Sequence, residues 1–186
     1  LIPLASGTTI RNHFNANCKG GHLTCRSIGP STCCGGTLHV PVDGAPSALF
    51  VSLPKQVTVI GWHPKSSNSQ CGDVAKKVAT SSPNKCLGTK ATAGGKHFTG
   101  TSWTTVEGIE GEAQKCTSTI EPDALVLDDG HMYKLQAMEV GDVNTLLEFA
   151  VNGTLAADLP GVYGKYEIEK EGLEGRLQEM QGEPEE

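Results

Sequence analysis

Seven cysteines constrain this 186-residue chain more than any other feature: Cys18, Cys25, Cys33, Cys34, Cys71, Cys86 and Cys116. All lie in polar, Gly/Ser/Thr-rich stretches that offer a buried thiol no apolar surroundings. A structural zinc site needs two short cysteine knuckles, and the one close pair here, Cys33-Cys34, is adjacent and chelates poorly. No C-x-x-C redox motif occurs. What remains is a disulfide framework in an oxidising, extracellular compartment. Three bridges use six of the seven cysteines; any six allow roughly 15 connectivities, and the choice of the spare, also left open, multiplies that about sevenfold. Cys33 and Cys34 are too strained to bond to each other, so each must reach a different partner. Cys71 and Cys86 flank a polar excursion and are placed to close it as a local loop. The opening spacing is that of a knottin, but Cys71 comes too late for one.

Secretion agrees with two further features. Asn152-Gly153-Thr154 is a glycosylation sequon. The chain begins at Leu1, which reads as a mature, processed terminus. No run of eighteen apolar residues occurs, so no transmembrane helix is expected. The net charge of −6 argues against nucleic acid as a partner. That charge is unevenly placed. Residues 1–115 carry 11 Lys/Arg against 5 Asp/Glu, a net +6, while residues 116–186 carry 4 against 16, a net −12. The plain reading is mutual attraction of the two halves within one fold. The functional alternative is a basic face offered to an anionic surface such as a wall polymer or membrane.

Apolar patterning predicts a mainly β (α+β) domain: a small disulfide-stapled β-sheet fold with a C-terminal helical region. Residues 1–36 lack periodicity and read as loops held by cysteines. Short β-branched runs follow at Leu38–Val40, Ala48–Val51 and Val57–Ile60, separated by Pro and Asp-Gly turns. A short helix is expected over Val74–Ala79, and a strand over Phe98–Val106. Ala124–Leu127 and Met132–Leu135 form a hairpin about Asp128-Asp129-Gly130. Asp142 is placed to cap a helix carrying Val143, Leu146, Leu147 and Ala150, with Asn152-Gly153 as its stop. The organisation expected is a β-rich secreted domain over 1–160 and an acidic segment over 161–186, helical or docked. In that segment Leu173, Leu177 and Met180 share one side of a helix among glutamates, which marks them as candidate partner-binding residues.

The chain carries no nucleophile elbow, phosphate-binding loop, dinucleotide fingerprint or HExxH motif, so neither catalytic residues nor a bound metal or cofactor is expected. Its six histidines are scattered singly, although a fold could gather two of them, such as His22 and His39. Asp128 and Asp129 are adjacent on a turn and point apart, which suits a turn better than a glycosidase carboxylate pair. Trp62 and Trp103 read as core anchors in preference to a carbohydrate platform. Lys76, Lys77, Lys85, Lys90 and Lys96 form a basic zone without interleaved aromatics, a solvated loop by default.

The series Cys18…Cys25-Arg26-Ser27-Ile28-Gly29-Pro30…Cys33-Cys34, then Leu53-Pro54, Gly61-Trp62, Cys71-Gly72, Cys86-Leu87-Gly88 and Phe98…Gly100…Ser102-Trp103, resembles a widespread group of small, secreted, cysteine-rich fungal proteins, most of them uncharacterised. Pro122-Asp123…Leu127…Gly130…Tyr133 is similar to a hairpin many of these carry. The resemblance covers residues 18–135 and implies a fungal source and secretion, with no particular activity; the acidic segment after Pro160 departs from the pattern. The function that fits best is a secreted, non-catalytic binding protein with a secreted protein partner. Its concrete form is a small accessory subunit stabilising an extracellular fungal enzyme such as a laccase. An effector or toxin acting on a host or competitor is the second reading, and a metal-assisted hydrolase or ribonuclease the third.

Overall fold

The computed structural model describes residues 7–35, 44–65, 69–89, 96–105 and 115–168. Its strands are β1 (Thr8–His13), β2 (His22–Ile28), β3 (Thr32–Cys34), β4 (Ser47–Val51), β5 (Val57–His63), β6 (Asp73–Thr80), β7 (Lys85–Gly88), β8 (Gly100–Thr105), β9 (Ser118–Ile120), β10 (Ala124–Val126), β11 (Met132–Lys134) and β12 (Glu167–Ile168). One helix, α1 (Val140–Val151), follows the β10–β11 hairpin. A seven-stranded sheet runs β12-β11-β10-β2-β1-β4-β7, and a five-stranded sheet runs β6-β5-β8-β3-β9. The fold is thus mainly β, disulfide-stapled, with a C-terminal helix.

The two sheets share one core. Ile10, Phe50 and Leu87 of the larger sheet meet Val57, Val59 and Trp103 of the smaller. Phe98 lies over Gly61, where a Cβ would enter its ring, so this position tolerates glycine alone. Trp62 and Trp103 are both buried, as anchors of the smaller sheet: Trp62 Nε1 donates to Ser102 Oγ at 2.8 Å and Trp103 Nε1 to the Ile28 carbonyl at 3.1 Å. Between the sheets, Thr101 Oγ1 donates to Asn12 Oδ1 at 2.8 Å and Asn12 Nδ2 donates to Cys34 Sγ at 3.4 Å. Without those partners a buried amide would cost on the order of 1–3 kcal/mol.

Disulfides join Cys18 to Cys86, Cys25 to Cys34 and Cys33 to Cys71, and Cys116 keeps a free thiol. Cys25–Cys34 ties β2 of one sheet to β3 of the other. The local Cys71–Cys86 loop does not form. Cys86 sits on β7, at an edge of the larger sheet, and Cys71 beside β3 of the smaller, so the two are drawn to different partners.

Three local expectations are corrected. Residues 8–13 and 22–28 are strands at the centre of the larger sheet, because backbone pairing compensates for their sparse apolar residues. Residues 73–80 form β6 in place of a helix, paired with β5 from Asp73↔His63 to Thr80↔Val57. Helix α1 starts at Val140 with Glu139 as its N-cap residue, making no side-chain cap; Asp142 falls in the first turn. Its stop is as expected, at Asn152 followed by Gly153 with φ of +73°.

Candidate functional site

Strand alternation places Leu23 of β2 and Leu125 of β10 opposite one another on the same face of the larger sheet. There they form a second core with Tyr133, Leu135 and Tyr163, against Leu146, Leu147 and Ala150 of α1. The Asp128-Asp129-Gly130 turn fastens this unit, with Gly130 at φ of +85°. Asp128 accepts the Gly21 N–H on the β1–β2 side, while Asp129 accepts the N–H groups of Ala156 at 2.7 Å and His131 at 3.2 Å. The small burial of Asp129 works upward on its pKa, but those donors outweigh it and hold the carboxyl low. The two carboxylates therefore serve opposite sides of a turn.

Where α1 meets the sheet, packing leaves a groove of about 390 Å³. Leu23, Leu135 and Leu147 form its floor, and Met138, Val140 and Val143 its lip. Val140 is 76% exposed, although it begins a helix whose other large apolar residues turn inward. Glu121, Gln136 and Asn144 supply the polar edge, and Glu139 lies between two lip residues. Lys134 alternates with Tyr133 and Leu135 and so points to the opposite face of the sheet. The groove is apolar inside and acidic at its edge. It can receive an apolar side chain and favour basic neighbours beside it.

A second polar cluster lies at the end of β1 and β2 that the connection over residues 14–21 closes. His13 and His22 are cross-strand partners, their rings 4.6 Å apart. His22 stands with this neighbour, whereas His39 falls outside the described residues. His22 Nδ1 lies 2.9 Å from the Gly20 carbonyl, which only accepts, so that nitrogen carries the hydrogen. Burial pushes His22 down to about 4 and also lowers His13. The Lys19 and Gly20 carbonyls favour charge on His13, yet neither reaches hydrogen-bond geometry with its ring.

Of the other residues singled out by sequence, Asn152 is exposed at the C-terminal end of α1. Leu173, Leu177 and Met180 lie outside the described residues. The groove itself escapes sequence reading because Leu23 and Leu147 come together only through the β2–β10 pairing. The one signal in the sequence is Val140, an apolar residue at a helix start ahead of the buried stripe.

A family model described as an N-terminal domain matches residues 9–123, and its companion, described as a C-terminal domain, matches residues 128–182. The chain belongs to the ARB_05566 family. It is 38% identical over 184 residues to an uncharacterized secreted protein of the fungus Arthroderma benhamiae, covering 97% of this chain and 95% of that one. No solved structure matches it. The ARB_05566 chain is a secreted protein, and its kinship is with a fungal secreted protein. The match to residue 182 takes in the acidic segment, which is therefore part of the family pattern and not a departure from it. Among the described residues no helix is long and apolar enough to cross a membrane.

Proposed function

We propose that this ARB_05566-family protein is a secreted, non-catalytic binding protein whose groove takes an apolar side chain, flanked by Lys or Arg, from a second secreted protein. The observation that carries the reading is Val140, 76% exposed on the lip of a groove floored by leucines and edged by Glu121. An exposed apolar lip beside a preformed apolar floor is the form of a binding hot spot, and the acidic edge selects a basic partner. The Cys25–Cys34 disulfide fastens β2, which carries Leu23 of the groove floor, and a fixed floor reduces the ordering cost of association. In concrete form it is an accessory subunit that stabilises an extracellular fungal enzyme such as a laccase.

Photo-crosslinking tests this. A benzophenone side chain at Val140 is compared with one at Val74, an exposed valine on the distant edge strand β6. Native culture fluid is irradiated and the attached peptide sequenced. The expected result is one discrete adduct at position 140, on an apolar segment with Lys or Arg neighbours, lost when Glu121→Lys is added. Equal labelling at 74 and 140, or an attached segment without basic residues, would refute the proposal.

A further inference from the structure

The free thiol of Cys116 is not isolated. The Sγ atoms of Cys33, Cys71 and Cys116 all lie within 4.8 Å of one another, and the first two are already bonded. Backbone pairing holds the third sulfur in place. Strand β9 runs parallel to β3, with Thr32 beside Ser118 and Cys33 beside Thr119. Just ahead of it, the Thr117 N–H donates to the Ser31 carbonyl at 2.8 Å, which fixes the residue next to Cys116. Gly100 makes the room, since a Cβ there would overlap the sulfurs of both Cys71 and Cys33. Burial pushes the Cys116 thiol up. The Ser102 hydroxyl, which accepts the Trp62 N–H and keeps its own hydrogen for the Cys116 sulfur, offsets that only in part, so exchange is favoured by alkaline pH. A thiol held against a disulfide, with a donor beside it, has the parts required for exchange.

We propose that Cys33, Cys71 and Cys116 form an intramolecular thiol–disulfide exchange site. The Cys116 thiolate attacks Cys33 Sγ; a Cys33–Cys116 bond forms as Cys33–Cys71 breaks. Cys71 leaves as a thiolate and takes up the proton that Cys116 gave up. One thiol and one disulfide stand on each side of the step, so neither an oxidant nor a reductant is required. The leaving group decides the direction of attack. Cys71 is half-buried in the polar run Gln70-Cys71-Gly72, whereas Cys33 is fully buried, where an expelled thiolate would be poorly solvated. Exchange thus moves the free thiol from the β9 side to the turn before β6 and releases that turn from β3. It goes beyond the binding role proposed above and does not depend on it.

Two measurements on the full chain test the site. Wild-type protein is held at pH 8 without reductant, quenched in acid, digested with pepsin and mapped by mass spectrometry. A Cys33–Cys116 peptide with free Cys71 should accumulate, in a fraction independent of protein concentration. In Cys71→Ser incubated with oxidised glutathione, which takes up the two electrons, the neighbouring Cys33 and Cys116 should pair as Cys33–Cys116, leaving no thiol to alkylate after denaturation. If wild-type protein shows Cys33–Cys71 alone at all times, or if the isomer's fraction rises with protein concentration, the proposal is overturned. A folded Cys71→Ser protein that retains two free thiols would overturn it equally.

Discussion

Acid should destabilise this protein through His22 before its carboxylates titrate. His22 is 8% exposed and His13, its ring tilted against it, 3%. Burial sets the native pKa of His22 at about 4, against the 6.5 of an unhindered imidazole; the Gly20 carbonyl pulls upward, and the charges of His13 and Arg11 push further down. Between those values the unfolded chain binds more protons than the native one, so stability is full above pH 6.5 and falls as pH drops towards 4. The loss from this one residue is about 2 kcal/mol by pH 5 and about 3 kcal/mol once both states are protonated. His13, also lowered by burial, adds to it in the same direction. Replacing His22 by Gln keeps a donor for the Gly20 carbonyl and removes the titration. Urea unfolding at pH 8, 6 and 5, with disulfides intact, should show the wild type losing about 2 kcal/mol more than His22→Gln across that range. An equal loss in both proteins, or an NMR titration of His22 centred above pH 6, would refute the reasoning.

Replacing Cys18 and Cys86 together by Ala opens a loop of sequence separation 68 and should cost about 4 kcal/mol in chain-entropy terms, read from denaturant midpoints. The same change at Cys25 and Cys34, separated by 9, should cost about 2.6 kcal/mol on that basis, with any excess reporting their burial between the sheets. Truncation after Gly161 should lower the melting temperature, because it removes buried Tyr163 and strand β12. Truncation after Ile168 should leave the melting temperature unchanged and weaken partner binding, if Leu173, Leu177 and Met180 contact the partner. Asn152→Gln should abolish the shift in gel mobility that endoglycosidase treatment produces in the secreted wild type.

The elements legible in the sequence are those whose pattern reflects one clear cause. The β10–β11 hairpin has apolar runs about a turn that needs positive φ, and α1 has its stripe and its glycine stop. Strands β1 and β2 were hidden because the inward position after Ile10 is Asn12, a residue that pattern reading assigns to solvent. Its partners, Thr101 and Cys34, come from the other sheet and appear only in three dimensions. In β6 the doublets Val74-Ala75 and Val78-Ala79 recur at helical spacing, yet continuous pairing with β5 prevails. Edge strands, half exposed on one face, show weak alternation in any case. Disulfide partners stayed open because proximity in sequence says little once two sheets divide the chain. Cys71 and Cys86 are near in sequence, yet Cys86 sits on β7 of the larger sheet and Cys71 is bonded to β3 of the smaller.

The two family models leave residues 124–127 between them, and that gap holds β10. β10 pairs with β2 on one side and β11 on the other, so the larger sheet passes from one matched stretch to the next without a break. Leu23, from the first stretch, is a wall of the core that α1 closes. Ladder hydrogen bonds and apolar burial thus join the basic half to the acidic half. Among the described residues a single ion pair, Arg26 with Asp123 at 2.8 Å, spans them, and Arg26 is exposed there, where such a pair contributes about 1 kcal/mol or less. Charge asymmetry is not what holds the halves together. Among the described residues, Glu121 lines the groove and Glu139 is exposed between two of its lip residues. If the groove takes the basic partner proposed above, added salt should slow that association while leaving the fold's stability nearly unchanged.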